Sequence, residues 1–235
     1  MWIDKSLNYG RHNIESFLKK AMPFETVLDI GAGKGYDLDI AKKVNNNSKL
    51  IAIEYYEPYK AILNLKKIAV YQLDIEKERF PLANESVDII IANQILEHVK
   101  EIYWIFHEIT RLLRLGGSLI IGVPNLAAFH NRILLFMGRQ PTPIQVASAH
   151  IRGYTHHGFL KFLNSCWEGG YVEKDFKGSN FYPFPPLIAK PLASIWPNFA
   201  WGIFMLFTKV QSYDDAFLRF PIEQRLETNF YLGND

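Results

Sequence analysis

The chain contains one cysteine, Cys166, among 235 residues. A lone cysteine excludes an internal disulfide and fits a reducing compartment. Charge of one sign is also lacking. Twenty-six Lys and Arg face 24 Asp and Glu, for a net charge of +2, and no long run of either sign occurs. The concentrated basic face of a nucleic-acid binder is therefore not expected. No apolar run approaches the about 20 residues that a bilayer-spanning helix needs. The opening "MWIDKSLNYGRHNIESF" has no basic region leading into an apolar core, so it does not read as a secretory signal. Internal repeats and low-complexity linkers are missing as well. These absences predict a cytoplasmic protein without a membrane span, acting as a monomer or homodimer, with peripheral lipid contact left open. The apolar share of 49% and charged share of 21% suit an ordinary globular domain.

Strand-like and helix-like segments alternate. "TVLDI", "KLIAIEYY", "IAVYQLD", "VDIIIAN" and "SLIIGVP" are short apolar runs, and "VDIIIAN" is apolar on both faces, as a central parallel strand is. Between them, "DLDIAKKV" and "PYKAILNLKK" carry helical spacing. A long helix is expected from about Leu96 to Leu115, stopped by Gly116 and Gly117. Ile14, Phe17, Leu18 and Ala21 predict an amphipathic N-terminal helix over about 11–22. Thr155 is placed to cap "HHGFLKFLNSCW", and "GGYVEKDFKGSNFY" and "WGIFMLFTKV" read as two last strands. The pattern predicts an α/β fold, a Rossmann-like doubly wound sheet, within one domain over 1–235. Two elaborations interrupt it, at about 125–153 and 183–200. The second is rich in proline and apolar residues, and burial is its expected state.

"VLDIGAGKGYDL" puts three glycines after the first strand, where such sheets bind ligands. A dinucleotide fingerprint needs a third glycine where Tyr36 stands, and a Walker loop needs Ser or Thr where Gly35 stands. What remains is Asp29, Gly31, Gly33 and Gly35. An acid inside the turn repels a pyrophosphate and suits a cationic amine. Glu54 ends the second strand, where an acid can accept from both ribose hydroxyls. Asp74 ends the third and can accept from an exocyclic amine such as that of adenine. Three acids at one sheet edge imply a ligand with an amine, a ribose and an adenine, and without phosphate.

Here the chain resembles the class I S-adenosylmethionine-dependent methyltransferases. The pieces are "VLDIGAGKG", "IAIEYYEP", "YQLDIE", "FPLANESVDIIIANQILEHV" and "LLRLGGSLIIGVPN", in the family's order and spacing. The resemblance implies S-adenosyl-L-methionine as cofactor and a seven-stranded, mostly parallel sheet with an antiparallel final strand. It also implies that Asp29, Gly31, Ala32, Gly33 and Gly35 face the methionine end and that Glu54 holds the ribose. Tyr55 would flank the adenine, Asp74 and Ile75 read its edge, and Asn93 and Gln94 line the pocket beside the sulfonium. "VPNLAAFHNRILLFMGRQPTP" followed by "HIRGYT" is similar, more loosely, to ubiquinone-type O-methyltransferases and MetW-like proteins.

Methyl transfer needs alignment above all, and a base only where the nucleophile must lose a proton. The candidates are His98, at the expected start of the long helix, and His150 and Tyr154, with Arg152, in "HIRGYTHH". His156 and His157 read better as first-turn residues after Thr155. Arg11, with His12 beside it, could pair with the cofactor's carboxylate. Cys166 reads as core. With no Cys-x-x-Cys and no helical His pair at metal spacing beside an acid, no metal is expected. The expected function is methyl transfer to an O, N or C nucleophile of a small molecule or a lipid- or sugar-linked acceptor. The alternative is a non-catalytic S-adenosylmethionine-binding partner or regulatory subunit. Tyr36 disfavours a nicotinamide oxidoreductase, and Asn93-Gln94-Ile95-Leu96 disfavours a DNA amino-methyltransferase.

Overall fold

A computed structural model describes residues 10–233. Residues 1–9, where the reading against a secretory signal begins, lie outside that range. The elements in chain order are α1 (Arg11–Lys20), β1 (Thr26–Ile30), α2 (Tyr36–Val44), β2 (Lys49–Ile53), α3 (Glu57–Leu65), β3 (Ala69–Tyr71), β4 (Val87–Asn93), a 3₁₀ turn (Leu96–His98), α4 (Ile102–Leu112), β5 (Leu113–Pro124), α5 (Phe129–Phe136), α6 (His156–Cys166), β6 (Tyr171–Ser179), α7 (Pro186–Ile195), a second 3₁₀ turn (Pro197–Phe199), β7 (Gly202–Lys209) and α8 (Ala216–Glu223).

The strands form one seven-stranded sheet in the order β3-β2-β1-β4-β5-β7-β6. Pairings from β3 through β5 are parallel, and β7 runs antiparallel to both β5 and β6. Alternation along the strands divides the core. Ile89 and Ile91 of β4 pack with α1 and α2 on one face, while Ile90 and Ala92 pack with α4 and α6 on the other. All seven residues of β4 are buried, and Ile89 to Ala92 present apolar side chains to both faces of the sheet. Reversal of strand order beside β1 opens a crevice at the carboxyl ends of β1 and β4.

Two expectations are corrected. The long helix is split. His98 lies in the 3₁₀ turn, Val99 is extended, and α4 starts at Ile102. The reason lies in Glu76, whose Oε1 accepts from the backbone N–H groups of Lys100 and Glu101 at 2.5 and 2.8 Å, outcompeting a continuous helix there. At the other end α4 stops at Leu112, so Gly116 and Gly117 fall within β5. Lys209, almost fully buried at the end of β7, donates to the carbonyls of Thr110 and Leu113 at 3.0 and 2.7 Å. A cation on the last carbonyls terminates a helix favourably. The second correction concerns the proline-rich segment. It forms α7, of which only Ala189 and Ala193 are buried, while Leu187, Ile195 and Trp196 are exposed. Two alanines present too little apolar surface to seat the whole helix.

Candidate active site

The glycine turn follows β1 and starts α2. Gly31 and Gly35 have φ of +71° and +76°, and a Cβ on either would meet Ile95 or Leu63 at 2.8 or 2.6 Å. Both positions therefore require glycine, by conformation and by space. A Cβ on Gly33 would meet nothing, so that part of the loop faces open space.

Asp29 is buried at the end of β1, and its Oδ2 has no hydrogen-bond partner among the described residues. Burial raises its pKa well above the ordinary carboxyl value. The nearby Asp37 carboxylate adds to the rise, and Arg11 opposes it. An unsatisfied buried carboxylate is costly unless a cation or donor meets it. A ligand amine in the open crevice is such a partner.

Glu54 is also buried. Its Oε2 accepts from Gly33 N at 2.7 Å and its Oε1 from Tyr56 N at 2.8 Å. The two bonds orient the carboxylate, and each oxygen keeps a lone pair for a ligand hydroxyl. Ala32 N–H donates to the Ile53 carbonyl, which holds the turn against β2. Tyr55 is exposed beside Glu54. Asp74 lies beyond the end of β3 in a turn, where its Oδ1 accepts from Glu76 N at 3.0 Å. Ile75 packs against the core beside it.

At the end of β4, Asn93 donates through Nδ2 to Asp37 Oδ2 at 2.9 Å, and its buried Oδ1 has no partner among the described residues. Gln94 adopts φ +56°, uncommon for a residue with a side chain. Asp37 also accepts from Arg11 Nε at 2.7 Å, so Arg11, Asp37 and Asn93 form a polar chain across the crevice. Asp37 escaped notice in the sequence because its helix offered only the apolar stripe.

On the other side of β4, the hydroxyl of Tyr154 donates to the Leu96 carbonyl at 3.0 Å. Burial drives its pKa above the usual phenol range, so it orders the turn. The rings of His98 and His150 meet edge to face at 4.7 Å. Burial lowers the pKa of His98, with His150 contributing. Glu97 was also missed. It is 1% exposed, and neither carboxylate oxygen has a partner among the described residues. Burial pushes its carboxyl up to about 7. The sequence signal was a glutamate within the apolar run "ILEHV". Thr155 caps α6 as expected, accepting from Gly158 N at 3.0 Å. His156 stacks on Phe176 and bonds Glu173, outside this cluster.

A family model described as a methyltransferase domain matches residues 28–121. A probable S-adenosylmethionine-dependent methyltransferase of Mycobacterium tuberculosis is 30% identical over 103 residues, covering 44% of this chain and 37% of that protein. An arsenite methyltransferase of Halobacterium salinarum is 31% identical over 121 residues, covering 49% and 31%. The chain thus spans about a third of the length of these curated relatives. Among solved structures, the 1,6-didemethyltoxoflavin-N1-methyltransferase of Burkholderia thailandensis, with 1,6-didemethyltoxoflavin and S-adenosylhomocysteine bound, superposes with a TM-score of 0.59. That match has 16% identity and covers 88% of this chain and 82% of that one. Residues 28–121 are thus similar to the methyltransferase-domain family, and the strand order, the glycine turn and the edge carboxylates agree with that likeness.

Proposed function

We propose that the protein is an S-adenosylmethionine-dependent methyltransferase whose acceptor is a small molecule or lipid-linked compound with a substantial apolar part. The observation that carries the cofactor assignment is Asp29, a buried carboxylate with a free oxygen at the mouth of an open glycine turn. In this reading Asp29 accepts from the cofactor's amine and Glu54 from the ribose hydroxyls. Tyr55 covers the adenine, while Asp74 and Ile75 meet its edge. Asn93 and Gln94 line the reacting end. When bound, the cofactor supplies an activated methyl group on a sulfonium centre. The protein's contribution is alignment and exclusion of water. His98 and His150 act on the acceptor, and Tyr154 holds their turn in position.

The apolar acceptor is supported by a cavity of about 540 Å³ between α5 and α7, lined by Phe129, Ile133, Phe181, Phe184, Ala189 and Trp201 among others. The carbonyl of Trp201, on its wall, accepts from Asn125 N at 2.8 Å, just past the carboxyl end of β5, the strand paired with β4. Residues 125–167 and 176–213 contain no Asp or Glu, so the walls bring no acidic group to an apolar ligand.

The test has two arms. Calorimetry should find S-adenosylmethionine binding in the micromolar range, about −8 kcal/mol; no binding would overturn the cofactor assignment. Incubation of extract from the source organism with methyl-labelled cofactor should place label in the solvent-extractable fraction. Label confined to water-soluble products would overturn the acceptor class, and no label in any fraction would favour the non-catalytic binding subunit.

A further inference from the structure

Glu97 and His98, neighbours in the sequence, and His150, from a distant segment, offer one donor atom each, all within 4.8 Å of one another. The fold builds this cluster deliberately. Glu97 and His98 come from the 3₁₀ turn after β4. His150 arrives from the insertion after β5, which is pinned to that turn because Ile151 N donates to the Glu97 carbonyl at 2.8 Å and Arg152 N at 3.2 Å. Arg152 Nε also donates to the Val99 carbonyl at 3.0 Å, so its charge is turned toward backbone and away from the carboxylate.

Two further observations point to a cation. The first is Glu97 itself, buried with both oxygens unpartnered among the described residues. A carboxylate in that state lacks the cation or donors that buried charges otherwise have. The second is the orientation of the rings. His98 Nδ1 faces the Ala149 carbonyl at 3.3 Å, and His150 Nδ1 faces the Pro143 carbonyl at 2.9 Å. A carbonyl only accepts, so in each neutral ring Nδ1 carries the hydrogen and Nε2 keeps the lone pair. Metal-ligating histidines are set up in this way, with the second nitrogen donating to a backbone carbonyl.

We propose that Glu97, His98 and His150 bind one divalent transition ion of the zinc type. Two imidazoles and one carboxylate favour such ions over magnesium or calcium, which prefer all-oxygen ligands. Three protein ligands leave at least one coordination position open, the arrangement of sites that engage a substrate. Glu97 follows Asn93 and Gln94 within one turn of chain, so the open position would take an oxygen of the methyl acceptor. That last placement rests on the methyltransferase reading; ion binding does not. With the ion present, His98 and His150 serve as ligands rather than as bases.

The experiment titrates metal-free protein with cobalt chloride and follows visible absorption, with calorimetry in parallel. One Co²⁺ per chain should bind, giving bands that Zn²⁺ displaces and equimolar Mg²⁺ does not. Glu97→Gln and His150→Ala should each weaken binding at least about tenfold, since even loss of a group supporting a ligand costs that much. His150 stands on the insertion, so its variant tests the site should Glu97→Gln fold poorly. Absence of stoichiometric binding, or equal binding by a folded variant and the wild type, would overturn the site. Displacement by equimolar Mg²⁺ would overturn the zinc-type assignment. S-adenosylmethionine binding is measured on the same samples; its failure would count against the methyltransferase reading and leave the ion result standing.

Discussion

Individual carboxylates here differ by position rather than by type. Asp88 spends its charge on the backbone N–H groups of Glu25 and Thr26 at 2.6 and 2.8 Å and on Arg114 at 2.7 Å. Asp29, by contrast, keeps its Oδ2 without a partner among the described residues, and Glu54, one strand away, is oriented by the backbone N–H groups of Gly33 and Tyr56. Glu54→Ala should therefore weaken S-adenosylmethionine binding at least about tenfold by calorimetry, the scale of a lost charged hydrogen bond. Unchanged affinity would remove Glu54 from the ribose site. Cys166 makes a contrasting case. Burial pushes its thiol up to about 12, so almost no thiolate exists at pH 8. Native protein should resist a thiol reagent that reacts promptly after unfolding in guanidinium; equally fast labelling of both would show that the thiol is accessible.

At the scale of elements, α4 is held by charges buried along its length. Arg111 donates to Glu108 at 2.6 and 2.7 Å and to the Leu82 and Phe80 carbonyls, while Glu108 accepts from Phe80 N at 2.6 Å. The pair thus ties the loop before β4 to the helix. Arg111→Ala leaves a buried, unpaired Glu108 and should cost about 3–5 kcal/mol in denaturant unfolding. A loss under 1 kcal/mol would show that the loop relaxes to water. His107, on the same helix, stacks on Trp104 and contacts Tyr213. Burial lowers its pKa from 6.5, outweighing the pull of Glu108 and Asp215. Its folded pKa lies below the unfolded one, so the neutral ring's stabilisation is full above 6.5 and is lost as pH falls below it. Relative to His107→Gln, the wild type should lose thermal stability between pH 7.5 and 5.5. A difference that stays constant, or grows in the wild type's favour, would contradict the burial argument.

Across the whole molecule, hydrogen bonds join the segments after β1, β2 and β3 and the end of β4 at one sheet edge, from Gly33 N to Glu54, from Gln72 to the Tyr55 carbonyl and from Asn93 to Asp37, so a ligand bound there would brace most of the sheet. At a hundredfold excess over Kd, S-adenosylmethionine should stabilise the fold by about 2.7 kcal/mol. For a chain of this size that raises Tm by about 5–10 °C. A shift below 1 °C at saturation would show that the loops close independently of the core. The same convergence sets the limits of sequence reading. "VDIIIAN" matched β4 because Ile89, Ile90, Ile91 and Ala92 put apolar side chains on both buried faces, and "TVLDI" matched β1 through Val27, Leu28 and Ile30. The end of α4 was misread because Lys209, almost a hundred residues later, fixes it. The exposure of α7 was misread because its composition is that of a core helix, and only its partners show how little of it is covered.

The sequence by itself determined the alternating α/β order, the glycine turn and the acids at strand ends, because these depend on local backbone conformation and on burial repeated along a strand. It thereby pointed to the methyl donor. Only the tertiary structure decided that, among the described residues, Asp29 Oδ2 and both oxygens of Glu97 lack a partner, that Asp37 joins Arg11 to Asn93, and that Glu97 lies beside His98 and His150. Those facts depend on desolvation and on contacts between residues distant in the chain, which no local pattern encodes.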